Sequence, residues 1–169
     1  MRPVILCAIV SAIILSACSP FSKDIMRRVD SSVAFEDVKT SPDKYIRMTV
    51  MWGGVIAGTI NRKNETIISV TQTALDLEKR PTERDNSKGR FLIYYPGFLD
   101  PIIYAKGREI TVVGTIEGRS TQPIGDTMYE YPTVNAQALH LWKKRPVYRH
   151  YHYPYWEPYP FWRHRRPYW

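Results

Sequence analysis

The sequence predicts an all-β fold, mainly strands: a small five-stranded barrel with one or two short helices and an extended aromatic C-terminal tail. Three observations lead to this fold class. Runs of β-branched, aromatic and other apolar residues recur through residues 47–142. Glycine, proline and polar clusters separate these runs. After residue 146 no continuous helix can form, because the chain holds Pro154, Pro158, Pro160 and Pro167.

The first 17 residues have the three parts of an export signal. Arg2 and the free amine give a positive start. Val4–Ile14 is an apolar run broken only by Ser11, and it is too short for a bilayer-spanning helix of about 20 residues. The following "LSAC" has the pattern of a bacterial lipobox, in which the cysteine is acylated and the peptide is cut before it. We predict a signal peptide over residues 1–17 and covalent lipid on Cys18; the alternative is a coincidental cysteine.

Cysteine usage agrees with lipid attachment rather than with a disulfide. Of the two cysteines, Cys7 leaves with the signal and Cys18 carries the lipid, so no thiol remains for a cross-link that the compartment would permit. The fold must therefore be stable on its core alone. Ser19 favours export to the outer membrane, where two or three acyl chains would anchor the chain stably.

Residues 18–30 are predicted to form a lipidated tether, and residues 31–146 the barrel domain. At the start of the domain, Asp30-Ser31-Ser32 offers N-cap candidates for a short helix. Phe35 and Val38 have the spacing of one helical face, and the next proline ends the element. This helix or turn is expected to cap the barrel.

The first two strands are predicted to form a hairpin. Arg47–Ile60 is rich in β-branched and apolar residues, and Gly53-Gly54 at its centre indicates a sharp bend. Asn61–Asn64 makes a polar turn and Glu65–Thr73 is the second strand. The mixed charges of Glu78–Lys88 are typical of a solvated surface loop.

The third strand, Arg90–Tyr95, ends at Pro96-Gly97. Asp100-Pro101 then predicts a helical turn, with aspartate as the N-cap and proline in the first helical position. A buried helical face is predicted from the spacing of Phe98, Leu99, Ile102 and Ile103.

The last two strands complete the barrel. Arg108–Gly118 alternates cleanly, Pro123–Tyr131 is predicted as a loop, and Thr133–Trp142 is the fifth strand. The apolar side of the fifth strand changes between Ala138 and Leu139, which indicates a bulge. The predicted elements follow the order of an OB-type barrel: a bent first strand that forms a hairpin with the second, a third strand, a helical turn and two further strands. An immunoglobulin-like sandwich needs more strands than the chain supplies.

Several stretches resemble the Slp family of enterobacterial outer-membrane lipoproteins, over roughly residues 5 to 147. The matching pieces are the LSAC lipobox, "WGGVI" (Trp52–Ile56), "GRFLIYYPGFLDPIIYAKGREITVVGTIEG" (Gly89–Gly118) and "VNAQALHLW" (Val134–Trp142). The resemblance implies outer-membrane attachment, facing the periplasm, and no established catalytic activity. Arg47 departs from the family, whose members tend to have glycine there, and this places the local turn in question.

The charge balance indicates acidic partners. The precursor has 24 basic and 16 acidic residues, a formal charge of +8, and loss of Arg2 with the signal leaves 23 against 16, or +7. At an outer membrane the candidate partners are the lipid itself, an anionic envelope polymer or an envelope protein. Export and lipid anchoring exclude nucleic acid, although basic and aromatic residues on an OB barrel often bind it.

No catalytic residue is predicted. The chain has neither a Gly-x-Ser-x-Gly elbow nor a His-Glu-x-x-His zinc helix. Asp100 is better explained as a cap, Glu117 as a solvated residue on an outer strand face, and His140 as a partly buried strand residue. No cofactor is expected apart from the covalent lipid on Cys18.

Metal binding is a weaker alternative. His150 and His152 point to the same side of an extended segment, His164 follows, and imidazole suits zinc, copper and nickel. However, no cysteine and only one acid stand near enough to complete a closed site.

The tail, residues 147–169, is predicted to be an extended segment at a polar–apolar boundary. Tyrosine and tryptophan favour the bilayer interface, and arginine is attracted to anionic head groups. The residues expected to contact membrane or partner are Tyr155, Trp156, Trp162, Arg163, Arg165, Arg166 and Trp169. A disordered tail without contacts and a protein partner that binds proline and aromatic residues remain open.

The predicted function is a lipid-anchored, non-enzymatic envelope module that binds or scaffolds, with a tail that contacts the membrane surface. The alternatives are a periplasmic solute- or metal-binding lipoprotein, and an enzyme with an unrecognised site.

Overall fold

Five strands close into a barrel in the computed structural model, which describes residues 20–83 and 85–145. Around the barrel the order is β1-β2-β3-β5-β4, and β4 returns to β1. All neighbours are antiparallel except β3 and β5. This order and the five strands confirm the predicted OB-type barrel. The strands are β1 (Thr49–Asn61), β2 (Glu65–Thr73), β3 (Arg90–Pro96), β4 (Glu109–Ile124) and β5 (Thr127–Leu141).

The bend predicted in β1 lies where this strand changes partners. Its first half pairs with β4, its second half pairs with β2, and Gly53 and Gly54 belong to both pairings. A Cβ atom on Gly54 would lie 1.9 Å from the carbonyl oxygen of Thr71 in β2. Only glycine therefore allows the two backbones to come this close at the bend.

The core fills the barrel and is closed at one end by helix α2 (Phe35–Thr40). Phe35 packs edge to face on Trp52 and Phe91, with ring centroids 5.0 and 6.0 Å away. A short 3₁₀ helix, Pro42–Tyr45, follows α2. These elements confirm the predicted cap, with Phe35 and Val38 buried.

The predicted N-cap of α2 was wrong. The helix begins after Ala34, which makes no side-chain cap bond. Asp30 instead folds onto its own turn, where its carboxylate accepts bonds from the backbone N–H of Ser32 at 3.0 Å and from the Ser32 hydroxyl at 2.6 Å. These two hydrogen bonds lower the pKa of Asp30.

The predicted tether packs on the barrel wall over its described part. Phe21 is buried and its ring lies 6.3 Å from that of His140 in β5. Helix α1 (Lys23–Met26) follows, and the N–H of Asp30 donates to the carbonyl of Thr49. None of the helices in the described part of the chain is long and apolar enough to cross a bilayer.

The loop predicted over Pro123–Tyr131 was wrong, because β4 and β5 continue there as a two-stranded hairpin. The strands turn at Gly125, whose φ of +58° favours glycine. The predicted bulge in β5 is present but lies one residue earlier. Val113 pairs with Ala138 and Gly114 with Ala136, so Gln137 is the extra residue.

The predicted buried face after β3 was also largely wrong. Asp100 caps a turn as expected, since its carboxylate accepts from the N–H of Ile102 at 2.8 Å. The segment makes the predicted single helical turn, in which the backbone N–H of Tyr104 donates to the carbonyl of Asp100 at 2.9 Å. Of the four residues predicted to form the buried face, only Leu99 packs against the core. The side chains of Phe98, Ile102 and Ile103 are 74%, 85% and 52% exposed.

Arg47 adopts a backbone φ of +70°, which explains why glycine is expected there. For a residue with a Cβ this conformation costs about 1–2 kcal/mol. Glycine avoids that cost, but the greater entropy of its unfolded chain offsets part of the gain in stability. We expect Arg47→Gly to raise the free energy of unfolding by roughly 0.5–1 kcal/mol. Urea denaturation of the unlipidated chain from Ser19 to Trp169 measures this change. A loss of stability equal to that of the exposed control Arg62→Gly would contradict the explanation.

Candidate anion-binding cleft

A buried carboxylate lies at the first residue of β4. The Glu109 side chain is only 4% exposed, and two nitrogens of Arg80, Nε and Nη2, each lie 2.7 Å from its Oε2 atom. Nε of Arg145 lies 3.5 Å from the other oxygen, Oε1. Charge-assisted hydrogen bonds of this kind compensate the cost of taking a carboxylate out of water.

The segment 75–81 brings Arg80 to this position by folding back on the barrel wall. Leu75 and Pro81 form an isolated bridge, and the hydroxyl of Thr111 in β4 donates to the carbonyl of Lys79 at 2.7 Å. The prediction of a solvated loop over Glu78–Lys88 was therefore wrong at Arg80 and Pro81, whereas Glu78 is exposed. The Arg80 side chain is 20% exposed.

Trp142, just after β5, forms one wall of the cleft. Its indole N–H donates to the Thr111 hydroxyl at 2.9 Å, the Arg80 guanidinium lies 5.4 Å from its ring centroid, and the His140 ring lies 4.4 Å away. Arg108 ties this end of the chain to the turn after β3, because its two Nη atoms donate to the carbonyls of Trp142 and Ile103. The cleft wall is thus fixed from both sides.

The cleft has a volume of about 480 Å³ and a strongly positive lining. Its lining holds one carboxylate, Glu109, and five cations: Lys106, Arg108, Lys143, Lys144 and Arg145. The exposed ammonium groups of Lys106, Lys143 and Lys144 pair with no acid among residues 20–83 and 85–145. The arrangement suits binding of an anion, with Glu109 engaged by arginines rather than placed to accept a proton.

The Glu109 carboxylate is expected to stabilise the fold. Glu109→Gln leaves Arg80 without its anion in a site that water reaches poorly, and we expect a loss of about 2–3 kcal/mol in the free energy of unfolding. The matched control is Glu117→Gln in the same strand, where the exposed carboxylate accepts one bond from Asn135. We expect the control to lose less than about 0.5 kcal/mol in urea denaturation. Equal losses in the two variants would contradict the role given to Glu109.

The residues singled out from the sequence have different outcomes. Asp100 caps a turn and Glu117 is exposed on the outer strand face, as predicted. His140 is half-buried, and burial lowers its pKa. In the described ranges no three histidine, cysteine or acidic side chains group as metal ligands. Cys18, His150, His152 and all the tail residues predicted as contacts lie outside the described residues, and those predictions remain predictions.

Glu109 and Arg80 were not recognised from the sequence. Glu109 was taken only as the start of an alternating strand, and Arg80 as one of many loop charges. The sequence feature that could have indicated the pair is an acid directly beside the apolar run "ITVV", where an unpaired buried charge would be costly. Its partner is 29 residues away, and sequence spacing alone does not indicate such a pair.

Comparison with known proteins gives the family. The model of the outer membrane lipoprotein Slp family matches residues 15–169. The chain belongs to the Slp family. Escherichia coli outer membrane protein Slp is 31% identical over 136 residues, which cover 79% of this chain and 72% of that protein. Family membership confirms the resemblance found in the sequence and the outer-membrane lipoprotein location.

Two further relatives are similar to a shorter part of the present chain, which is the Slp-family member described above. The uncharacterized E. coli lipoprotein YeaY is 30% identical over 62% of this chain and 54% of its own length. A Haemophilus influenzae protein is 34% identical over 59% of this chain and 55% of its own length. The chain therefore matches about half the length of each of these two proteins.

Among solved structures, two single-stranded DNA-binding proteins are similar at low level. The small one from Streptomyces coelicolor has a TM-score of 0.38 and 15% identity, covering 56% of this chain and 94% of its own. Mitochondrial Rim1 of S. cerevisiae has a TM-score of 0.34 and 14% identity, covering 60% and 99%. Likeness of this degree carries no argument about ligands.

Proposed function

We propose that the chain is a lipid-anchored, non-enzymatic module of the outer membrane, facing the periplasm, that binds anionic envelope components. The observation that carries the proposal is the family match over residues 15–169, which begins at the first residue of the LSAC motif. Acyl chains on Cys18 would hold the barrel at the leaflet in which they are inserted. The lipid is the only covalent group the proposal requires.

The cleft supports binding rather than catalysis. Its one carboxylate is held by two arginines. Its three lysines are exposed and pair with no acid of the described residues, so they can reach a large or surface-bound anion. Lysine and arginine near a charged bilayer each add about 1 kcal/mol of attraction. A domain that is already anchored gains further from the high effective concentration of head groups.

The tail is proposed to add a second contact with the membrane surface. Its tyrosine and tryptophan rings combine an apolar body with a polar tip, which suits the interfacial zone of a bilayer. Four arginines, at positions 149, 163, 165 and 166, supply positive charge. Arg145, two residues before the tail, has its guanidinium at the cleft.

Vesicle binding tests the proposal. We expect the unlipidated chain from Ser19 to Trp169 to sediment with vesicles that contain phosphatidylglycerol, to show a blue shift in tryptophan emission, and to dissociate at high salt. The chain that ends at Pro146 should bind at least tenfold more weakly, since it loses four arginines worth about 1 kcal/mol each. Neutral vesicles of phosphatidylcholine are the control.

Two results would overturn the proposal of a membrane-contacting tail. Equal binding of anionic vesicles by both chains would assign binding to the barrel alone. No binding by either chain would leave the tail to a protein partner, or without a partner.

A further inference from the structure

The turn after β3 exposes an unusual amount of apolar surface. The described residues have eight large apolar side chains that are exposed, and four of them lie at one end of the barrel: Ile60, Phe98, Ile102 and Ile103. The end of β1 that carries Ile60 contacts this turn, because the Thr59 hydroxyl donates to the carbonyl of Tyr104 at 2.7 Å. Contiguous exposed apolar side chains on a monomer mark a contact surface.

The cleft lysines that pair with no acid of the described residues lie at the same end. Lys106 follows Ile103 by three residues, and Lys143 and Lys144 follow the end of β5, which pairs with the start of β4. Arg108 joins the two groups, since one guanidinium bonds the carbonyls of both Ile103 and Trp142. We call the surface made by the apolar turn and these lysines the docking end: Phe98, Ile102, Ile103, Lys106, Lys143 and Lys144.

Both ends of the described chain come close to this surface. Phe21 packs on His140, whose ring contacts Trp142 in the cleft wall. Two residues, Ser19 and Pro20, separate Cys18 from Phe21. Since an extended chain spans at most about 3.6 Å per residue step, these three steps keep Cys18 within about 11 Å of Phe21. Arg145, the last described residue, lines the cleft and precedes the tail by two residues.

We infer that the docking end rests directly on the anionic leaflet that holds the lipid of Cys18. Exposed apolar side chains next to exposed ammonium groups match a bilayer interface, where apolar side chains enter below the head groups and ammonium groups meet lipid phosphates. Chain length places the anchor near the same end. The inference rests on the lipid anchor of the proposed function, but it concerns the barrel itself and not the tail.

A single fluorophore tests the orientation. Cys18 is acylated in the mature chain and Cys7 is removed, so an engineered cysteine is a unique site for the dye NBD. The two matched variants are Ile102→Cys at the docking end and Met128→Cys at the tip of the β4–β5 hairpin, which are 85% and 64% exposed. The full lipidated chain is reconstituted in phosphatidylethanolamine vesicles with phosphatidylglycerol.

We expect NBD at position 102 to shift to the blue, to brighten severalfold, and to be quenched by lipids that carry a nitroxide on the acyl chain. NBD at position 128 should remain in water and respond to aqueous iodide. An equal response at both positions, or no response at 102 while the chain stays anchored, would overturn the inference. A response at 102 that needs added envelope protein rather than lipid would also overturn it, in favour of a protein partner.

A charge-reversal pair tests the lysines. Lys143→Glu/Lys144→Glu in the Ile102→Cys background should lower the fraction of inserted label by more than tenfold in anionic vesicles, since each lysine contributes about fivefold. The control is Lys44→Glu/Arg47→Glu, which makes the same change in net charge on exposed side chains near the 3₁₀ helix. An equal effect of both pairs would show that net charge alone explains the change, and it would contradict a specific docking end.

Removing the tail separates this inference from the proposed function. A lipidated chain that ends at Pro146 should keep the response at position 102, because the docking end belongs to the barrel. If removal of the tail abolishes the response at position 102, the docking end is refuted and the tail contact is retained. Persistence of the response would support the docking end even if the tail of the soluble chain failed to bind vesicles.

Discussion

Val112→Asp is expected to unfold the barrel. The Val112 side chain is fully buried in the core, at the register position that faces Trp52 in β1 and Leu139 in β5. A carboxyl group there finds no partner among apolar neighbours, and its burial costs several kcal/mol. The total stability of such domains is about 5–15 kcal/mol, so the variant should be largely unfolded or close to it.

Circular dichroism and urea denaturation of the unlipidated chain from Ser19 to Trp169 measure the effect. Ile116→Asp, in the same strand and also buried, should behave alike. The control Thr127→Asp places the same charge on an exposed residue and should change stability by less than about 0.5 kcal/mol. Folded chains with an intact β spectrum for both core variants would contradict the barrel core.

Cys18→Ala is expected to abolish the membrane anchor. The lipid would be attached to the Cys18 sulfur, and each buried methylene of an acyl chain contributes about 0.8 kcal/mol to membrane binding. The variant should accumulate as an uncut precursor and incorporate no labelled palmitate in growing cells. Separation of the inner and outer membranes measures the loss of outer-membrane attachment.

Cys7→Ala is the matched control for lipid attachment. Cys7 lies in the apolar run of the signal, so the change should leave both cleavage and labelling unaltered. Labelling that persists in Cys18→Ala, or a mature chain that begins at another residue, would show that the LSAC motif is coincidental.

The strands of the barrel could be predicted because each is a period-two run bounded by glycine, proline or polar turns. β2 has the predicted bounds, Glu65–Thr73, and the bend of β1 follows from its paired glycines. The hairpin beyond Ile116 was missed because Pro123 and Pro132 suggest a loop. Beyond the barrel each strand of this hairpin has one partner only, so proline can point its missing N–H away from the ladder.

The site was less predictable than the strands because it depends on contacts between distant segments. The spacing of Phe98, Leu99, Ile102 and Ile103 fits a buried helical face, but one turn of chain cannot bring all four side chains onto the core. Glu109 meets Arg80 and Arg145 only when the segment 75–81 and the end of β5 have folded against β4. Sequence pattern describes neighbours within an element and contains little about such pairs.

The proposed partner of the tail is the membrane surface and not a protein. A photo-crosslinking amino acid in place of Trp156, in the lipidated chain of intact cells, distinguishes the two. We expect irradiation to attach lipid at position 156 but not with the same probe at position 128. The lipid adducts are detected by radioactive phosphate after metabolic labelling of lipids. A discrete protein adduct at position 156 without lipid label would contradict the proposed membrane contact.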